Sequence, residues 1–510
     1  SAASDVYKRQ IQDSFGNIWI GNYRGGIDFI SHTQPLFNTI TYKTEKYGHN
    51  CNKQVWGLWA DNNRQIWLGG EGELGIYKEG KEIEIIPLNQ CRLNKQTHIS
   101  VIHQDKHGDL WLGTHKHGVA IYHPDTKRIT CIGDDKDGSL DILCFYEDTD
   151  GKIWIGTQSG LYSAYNRELT QEDKINRLLT NKGIRSILKD KNGKLWIGAK
   201  GLFLFDDKGQ LFQELTTEQS FPIRSVNYLM EDSRKRIWVG TNDGILVFRD
   251  ASHLEDYSHY GTKEGLQNTN VRAIQEDHDG TIWLSTNAGI SRLDEKTKTF
   301  YNYNHYDGVP MGDFMDGSTC ISTDGILYFG SQGGACYFTP GEVNSIRKPA
   351  PVTITQFSIY DKQTESKDTE HPLPLTDANI QLPYNQNTFK ISFNVLDYAI
   401  SSQVEFSYIL EGLENTWYNT QGEKQIIFRN IPPGHYTFKV KTRLRNQEWE
   451  KDEATLHIRI TPPFWLSWYA KLIYALLIIL IIYGVSRFYK RKLDLESSLE
   501  AVSYTHLRAH

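Results

Sequence analysis

The sequence predicts an all-β chain: a seven-bladed β-propeller of four-stranded blades with the remnant of a preceding propeller, then an immunoglobulin-like β-sandwich and one transmembrane helix. Three observations carry this expectation. An aromatic-centred repeat returns every 42 to 48 residues, short alternating segments follow it, and an apolar run ends in a cluster of basic residues.

Composition agrees with such a chain. At 510 residues it is too long for one ordinary core. Aromatic residues make up 12%, and 42 Gly stand against 3 Met, a balance that favours strands and tight turns. The formal net charge of -6 gives no basic field of the kind nucleic-acid binding needs, so no nucleic-acid partner is expected. The cysteines Cys51, Cys91, Cys131, Cys144, Cys320 and Cys336 contain no C-x-x-C pair and no His at ligand spacing, so neither metal nor cofactor is expected. They read as unpaired, strand-buried thiols, with a Cys320–Cys336 bridge left open.

The repeat has the form D-x-x-G-x-I-W-I-G-T, a short turn, then G-I/L-x-x-Y/F. Its aromatic position is Trp19, Trp67, Trp111, Trp154, Trp196, Trp238, Trp283 and, in a degenerate copy, Tyr328. This period is the length of a four-stranded propeller blade. Asp148-Thr149-Asp150-Gly151 suits a hairpin turn in which Asp accepts backbone amides and Gly takes positive φ. Ile153-Trp154-Ile155 is apolar on both faces, as a strand packed between neighbouring blades requires. Ile184 to Asp190 fits the innermost strand, and Gly160-Leu161-Tyr162 the third. The Trp row resembles a sugar platform, but one fixed repeat position is better explained by packing between blades. The D-x-D-G runs at Asp148 and Asp277 resemble the start of a calcium loop, yet the position of its Glu holds Ser159 and Ala288, so turns are the better reading.

These residues resemble the regulator-propeller repeats in the periplasmic sensor region of hybrid two-component systems of Bacteroidetes. In that family two seven-bladed propellers precede a tyrosine-rich sandwich, a transmembrane helix, a histidine kinase and usually a response-regulator tail. The copies from Asp61 to Tyr328 would close one propeller over residues 36–340. The Trp19 copy, with Gly25-Gly26-Ile27-Asp28-Phe29-Ile30 and Pro35-Leu36-Phe37, resembles the junction after a first propeller and places its remnant at 11–35. One eight-bladed ring is the alternative.

A connector over 341–379, carrying the extended segment Val352 to Phe357, leads to the sandwich at 380–463, where Thr388 to Phe393, Glu405 to Leu410 and Tyr436 to Val440 alternate. Tyr408-Ile409-Leu410-Glu411-Gly412 with Trp417, Pro432-Pro433-Gly434-His435-Tyr436 and Pro462-Pro463-Phe464-Trp465 resemble the family's sandwich. Its aromatic residues read as core, which implies a coupling role. The membrane helix is expected at 465–486, with Trp465, Trp468 and Tyr469 at one interface and Lys471 snorkelling. Arg487, Lys490, Arg491 and Lys492 place the C-terminal side of the helix in the cytoplasm by the positive-inside rule, and the propeller and sandwich in the periplasm. A signalling helix is expected to start at 487–501. Residues 1–10 and 502–510 fit neither neighbouring pattern and read as non-native tails, so the native sequence is expected to continue past both ends.

The resemblance implies that the region senses an oligosaccharide as a homodimer in the inner membrane and signals to a kinase in the same full-length chain, regulating polysaccharide-utilisation genes. For this stretch itself no enzymatic activity is expected. Alternatives are a membrane-held interaction scaffold, or a propeller glycosidase or lyase, since D-x-x-G-x-x-W is loosely similar to the sialidase Asp-box. Candidate ligand residues are those that break the repeat in the loops between second and third strands: Tyr23, Arg24, His115, Lys116, His117, Asn242 and Asp243. A site between propellers would use Tyr23 and Arg24; one on a propeller face would use the other five. Trp56 and Trp59 are irregular too, and core packing is the expected explanation.

Overall fold

A computed structural model describes residues 7–22, 26–31, 35–41, 43–44, 51–52, 54–79, 81, 83–91, 93–132, 140–165, 167–170, 179–206, 209–216, 223–343, 350–359, 379–398, 404–420, 422–444 and 448–506. The chain divides into two compact units, Ile20–Ile346, and Ser1–Trp19 with Arg347–His510.

Among the described residues, the larger unit contains seven four-stranded antiparallel sheets, each a propeller blade. The innermost strands of blades 1 to 6 are Gly57–Ala60, Ile99–Gln104, Ile142–Glu147, Ser186–Lys189, Val226–Glu231 and Val271–Glu276. In these blades strands follow one another outward in chain order. Blade 7 takes Phe314–Ile321, Leu327–Ser331 and Gly334–Phe338 from the end of the propeller and its outermost strand, Asn38–Ile40, from the beginning. The seam between blades 7 and 1 carries Val55 N–H to Ser331 O at 3.0 Å, the bond that Ile99 makes to Gly70 (3.1 Å) and Ile184 to Thr157 (2.9 Å) at other blade boundaries. The first repeat copy lies in a separate three-stranded sheet, Tyr7–Gln12, Ile18–Asn22 and Gly26–Ile30.

The repeat motif contributes to the blades in two ways. In blade 4, Asp190 Oδ1 accepts the backbone N–H of Asn192 and of Lys194, both at 2.9 Å, while Oδ2 accepts the indole Nε1 of Trp196 at 2.9 Å. Asp61–Trp67, Asp105–Trp111, Asp232–Trp238 and Asp277–Trp283 repeat the indole bond at 3.2, 2.9, 2.9 and 2.8 Å, and Asp13–Trp19 makes it at 3.1 Å. The carboxylate thus satisfies turn amides and the one polar atom of a buried Trp, a pairing six residues apart that turn chemistry alone does not anticipate. The glycine after the Trp strand has a separate reason. A Cβ on Gly198 would lie 2.5 Å from Val226 Cγ1, so the innermost strand of the next blade needs that space.

The second unit contains the sandwich. One sheet is Val352–Ile359, Phe389–Val395 and Gln425–Phe428; the other has five strands, in which Asn379–Leu382 pairs in parallel with Glu453–Ile460. Val352–Ile359, expected in the connector, belongs to the sandwich because it pairs antiparallel with Phe389–Val395. Phe393, Phe406 and Phe438 meet in its core. The helix runs Trp468–His506, starting later than expected because Phe464–Leu466 forms a 3-10 turn, and it continues without a break through the basic cluster and beyond residue 501. The stretch Trp468–Leu499 is long enough, and its apolar part apolar enough, to cross a membrane. Cys320 and Cys336 are not bridged to each other; they, Cys91 and Cys144 are free thiols, and burial pushes Cys144 up to about 12.

Candidate ligand-binding pocket

Each innermost strand begins at the end of the ring that also carries the loops between second and third strands. There a buried apolar residue (Val55, Ile99, Ile142, Ile184, Val226, Val271, Phe314) precedes a residue that changes from blade to blade: Trp56, Ser100, Leu143, Arg185, Asn227, Arg272 and Met315. All of these variable residues except Asn227 line one pocket of about 580 Å³, with His98, His115, Asp141, Gln158, Asp313, Asp316 and Gln332 among the others. The volume suits a small organic ligand.

Two carboxylates of the pocket, Asp316 and Asp141, have basic partners. Asp316 joins two guanidinium groups, accepting from Arg185 Nη1 at 2.9 Å and Arg272 Nη1 at 2.7 Å. Arg272 Nε also donates to Asn287 Oδ1 at 2.7 Å, and Arg185 Nη1 lies 3.4 Å from Asn227 Oδ1, so both forks are held from behind. His115 Nδ1 lies 2.9 Å from Asp141 Oδ1. The His98 ring meets Trp56 and His115 edge-on, with centroids 6.3 and 6.4 Å apart. An aromatic face, planar donors and carboxylates converge here, which is the equipment for holding a polyhydroxylated molecule.

Of the sequence-predicted residues, His115 lines this pocket. Lys116, on the same loop at φ 63, gives its backbone N–H to Asp141 Oδ1 at 2.7 Å, and His117 Nδ1 lies 3.0 Å from His115 O. Asn242 accepts Asn227 Nδ2 at 2.8 Å and so stands behind Arg185. Asp243 turns its N–H to Thr241 Oγ1 at 3.0 Å, a local turn bond. Tyr23 and Arg24 lie outside the described residues. Trp56, expected in the core, lines the pocket; Trp59 points its Nε1 to Gln104 Oε1 at 3.4 Å. Arg185, Arg272 and Asp316 were not anticipated, and the signal that finds them is the variable residue after each blade's first buried apolar position.

Residues 138–159, 178–201, 220–243 and 265–288 match the model of the two component regulator propeller, and 397–461 match the Y_Y_Y domain. The chain carries regulator-propeller repeats and a Y_Y_Y domain. The regulator-propeller chain is 37% identical to the extracellular domain ascribed to a hybrid two-component system of B. thetaiotaomicron, with a TM-score of 0.80 over 89% of this chain and 62% of that one. A second such domain from that organism, 22% identical with a TM-score of 0.51 over 90% and 63%, shares the fold. A histidine kinase of Formosa agariphila is 26% identical over 420 residues, which are 78% of this chain and 27% of the kinase. The regulator-propeller chain therefore spans only part of these relatives. Within its Y_Y_Y domain, Tyr436 OH donates to Pro432 O at 2.8 Å, and Tyr408 packs between Tyr418 and Phe438 at 5.8 and 6.1 Å. Both uses of tyrosine are structural.

Proposed function

We propose that this region is the outer, ligand-sensing part of a membrane-anchored two-component sensor, and that an oligosaccharide bound in the central propeller pocket is its signal. The observation that carries the reading is the joining of the Trp56 face with paired Arg, Asp, His and Gln side chains in one pocket of about 580 Å³. An aromatic face covers the apolar side of a sugar ring, and planar polar groups bond its hydroxyls. The regulator-propeller repeats, the Y_Y_Y domain and the kinase relative support the sensing context. His115 acts directly in this scheme, Asn242 through Asn227, and Lys116, His117 and Asp243 shape the rim.

Signalling then needs two chains whose joint arrangement the ligand prefers over another, because equal affinity for both would shift nothing. The helix passes the change to a cytoplasmic histidine kinase that controls polysaccharide-utilisation genes. Trp465, Trp468 and Tyr469 before the span and Arg487, Lys490, Arg491 and Lys492 after its apolar part set the orientation, with the propeller in the periplasm. Calorimetry of the chain against a glycan panel tests the reading. A glycan should bind, and Trp56→Ala should weaken it at least tenfold; undiminished binding would move the site away from the pocket, and protein capture without glycan binding would make the region a scaffold.

A further inference from the structure

The innermost strand of blade 7 departs from its fellows at the pocket. In blade 5, pairing passes from Val226↔Thr241 to Leu229↔Val239, three steps along one strand against two on the other. In blade 7 it passes from Phe314↔Ser331 to Thr319↔Phe329, five steps against two, so this bulge holds two more residues. Met315, Asp316, Gly317 and Ser318 lie between those pairs, and Gly317 turns at φ 67. The insertion carries Asp316 to the arginines of blades 4 and 6, at 2.9 and 2.7 Å. Bulges re-aim a side chain in this way.

Among the described residues, Arg185 and Arg272 are the two guanidinium groups lining the pocket, and three carboxylates, Asp141, Asp313 and Asp316, line it with them. Two guanidinium forks held from behind by Asn287 and Asn227 would form a receptor for a ligand carboxylate or sulfate. Here the chain's own carboxylate fills it. The three side chains remain 39%, 21% and 35% exposed, so a solute reaches them. An anionic ligand would meet like charge at Asp316 and would have to break two charge-assisted bonds, whereas hydroxyl groups can share the existing network.

Resting on the pocket reading above, we infer that Asp316 is the specificity-determining residue for ligand charge: by occupying both arginines it reserves the pocket for uncharged saccharides and excludes acidic ones. The bulge is thus a selectivity filter, and removing one negative charge inverts it.

The test uses the full chain in detergent with two probes of the same linkage, α-1,4-galactotriose and α-1,4-trigalacturonate, titrated calorimetrically against wild type and Asp316→Asn. The variant should bind trigalacturonate at least tenfold more tightly than wild type does. The gain should shrink with added salt and disappear when Arg185→Ala and Arg272→Ala are introduced together into the variant. An affinity for trigalacturonate within twofold of wild type, or a gain that survives loss of both arginines, overturns the inference. Tight trigalacturonate binding by wild type overturns it too. Asp316→Ser carries the same expectation should the Asn variant fold poorly. Failure of the pocket reading shows separately, as glycan binding that Trp56→Ala leaves intact, because that substitution does not touch the arginine pair.

Discussion

Asp148 bonds Lys189 of the next blade, at 2.9 and 2.8 Å, instead of the indole of Trp154 six residues on in its own blade. Trp154 Nε1 is buried without an acceptor, and Lys152 Nζ lies 3.9 Å above the Trp154 ring. Blade 3 therefore lacks the brace that Asp190 and Trp196 form in blade 4. Asp190→Ala should cost about 3 kcal/mol, since turn amides and an indole lose their acceptor, and Asp148→Ala only about 1 kcal/mol. Denaturant midpoints of the two variants check the difference.

The turn into the third strand of blade 5 should tolerate no side chain. Gly244 has φ 93, and a Cβ there would stand 2.2 Å from the carbonyl oxygen of Tyr260. Gly244→Ala should cost about 3 kcal/mol, combining backbone strain with a clash. Gly193→Ala, at φ 81 with nothing within 4 Å, should cost about 1 kcal/mol. Equal losses would show that strain alone decides.

Ring closure rests on the strand that begins the propeller. Phe37, 1% exposed, packs on Phe338 and Tyr303 with centroids 4.6 and 5.0 Å apart, just before Asn38–Ile40 pairs with blade 7. Phe37→Ala should cost about 3 to 5 kcal/mol. Hydrogen exchange should rise at Leu327–Ser331 and Gly334–Phe338 before it rises in blade 4.

Burial holds the His103 imidazole below its ordinary value, against the pull of Glu147 Oε2 at 3.3 Å. The folded chain then binds this proton more weakly than the unfolded chain, so the contribution is complete above pH ~6.5 and is lost as pH falls through the lower folded value. The thermal midpoint of wild type should fall more between about pH 7 and pH 5 than that of His103→Gln. Parallel curves would remove His103 from the account.

In a chain carrying a kinase after the helix, one residue inserted after Lys492 should turn everything beyond it by about 100°. Helix Trp468–His506 passes this point unbroken, so nothing there absorbs the rotation. Ligand-dependent phosphorylation should change while ligand affinity stays within twofold. Unchanged phosphorylation would exclude transmission by helix geometry.

Blades 1 to 6 were legible because each repeats one sequence pattern: an acidic turn, a glycine and a Trp strand. Partners distant in sequence were not. Asn38–Ile40 has no local mark of its pairing with Ala335–Tyr337, and Val352–Ile359 is separated from Phe389–Val395 by a long polar stretch. The pocket divides along the same line. His115 and Trp56 stood out as breaks in the pattern, whereas nothing within their own repeats marks Arg185 and Arg272 as parts of a site. Only the closed ring brings them to one carboxylate, and that carboxylate sits on an insertion that the spacing of Trp283 and Tyr328 conceals.

A linear array of repeats frays from its two ends, which is why such arrays carry dedicated caps. The strand Asn38–Ile40, laid along Gly334–Phe338, gives this array no ends at all. Each blade has a neighbour on both sides, so the loss of any one exposes two faces rather than one. The propeller should therefore melt in a single step, with no population of shortened rings, and a polypeptide emerging in order must leave its first strand unpaired until blade 7 has been made.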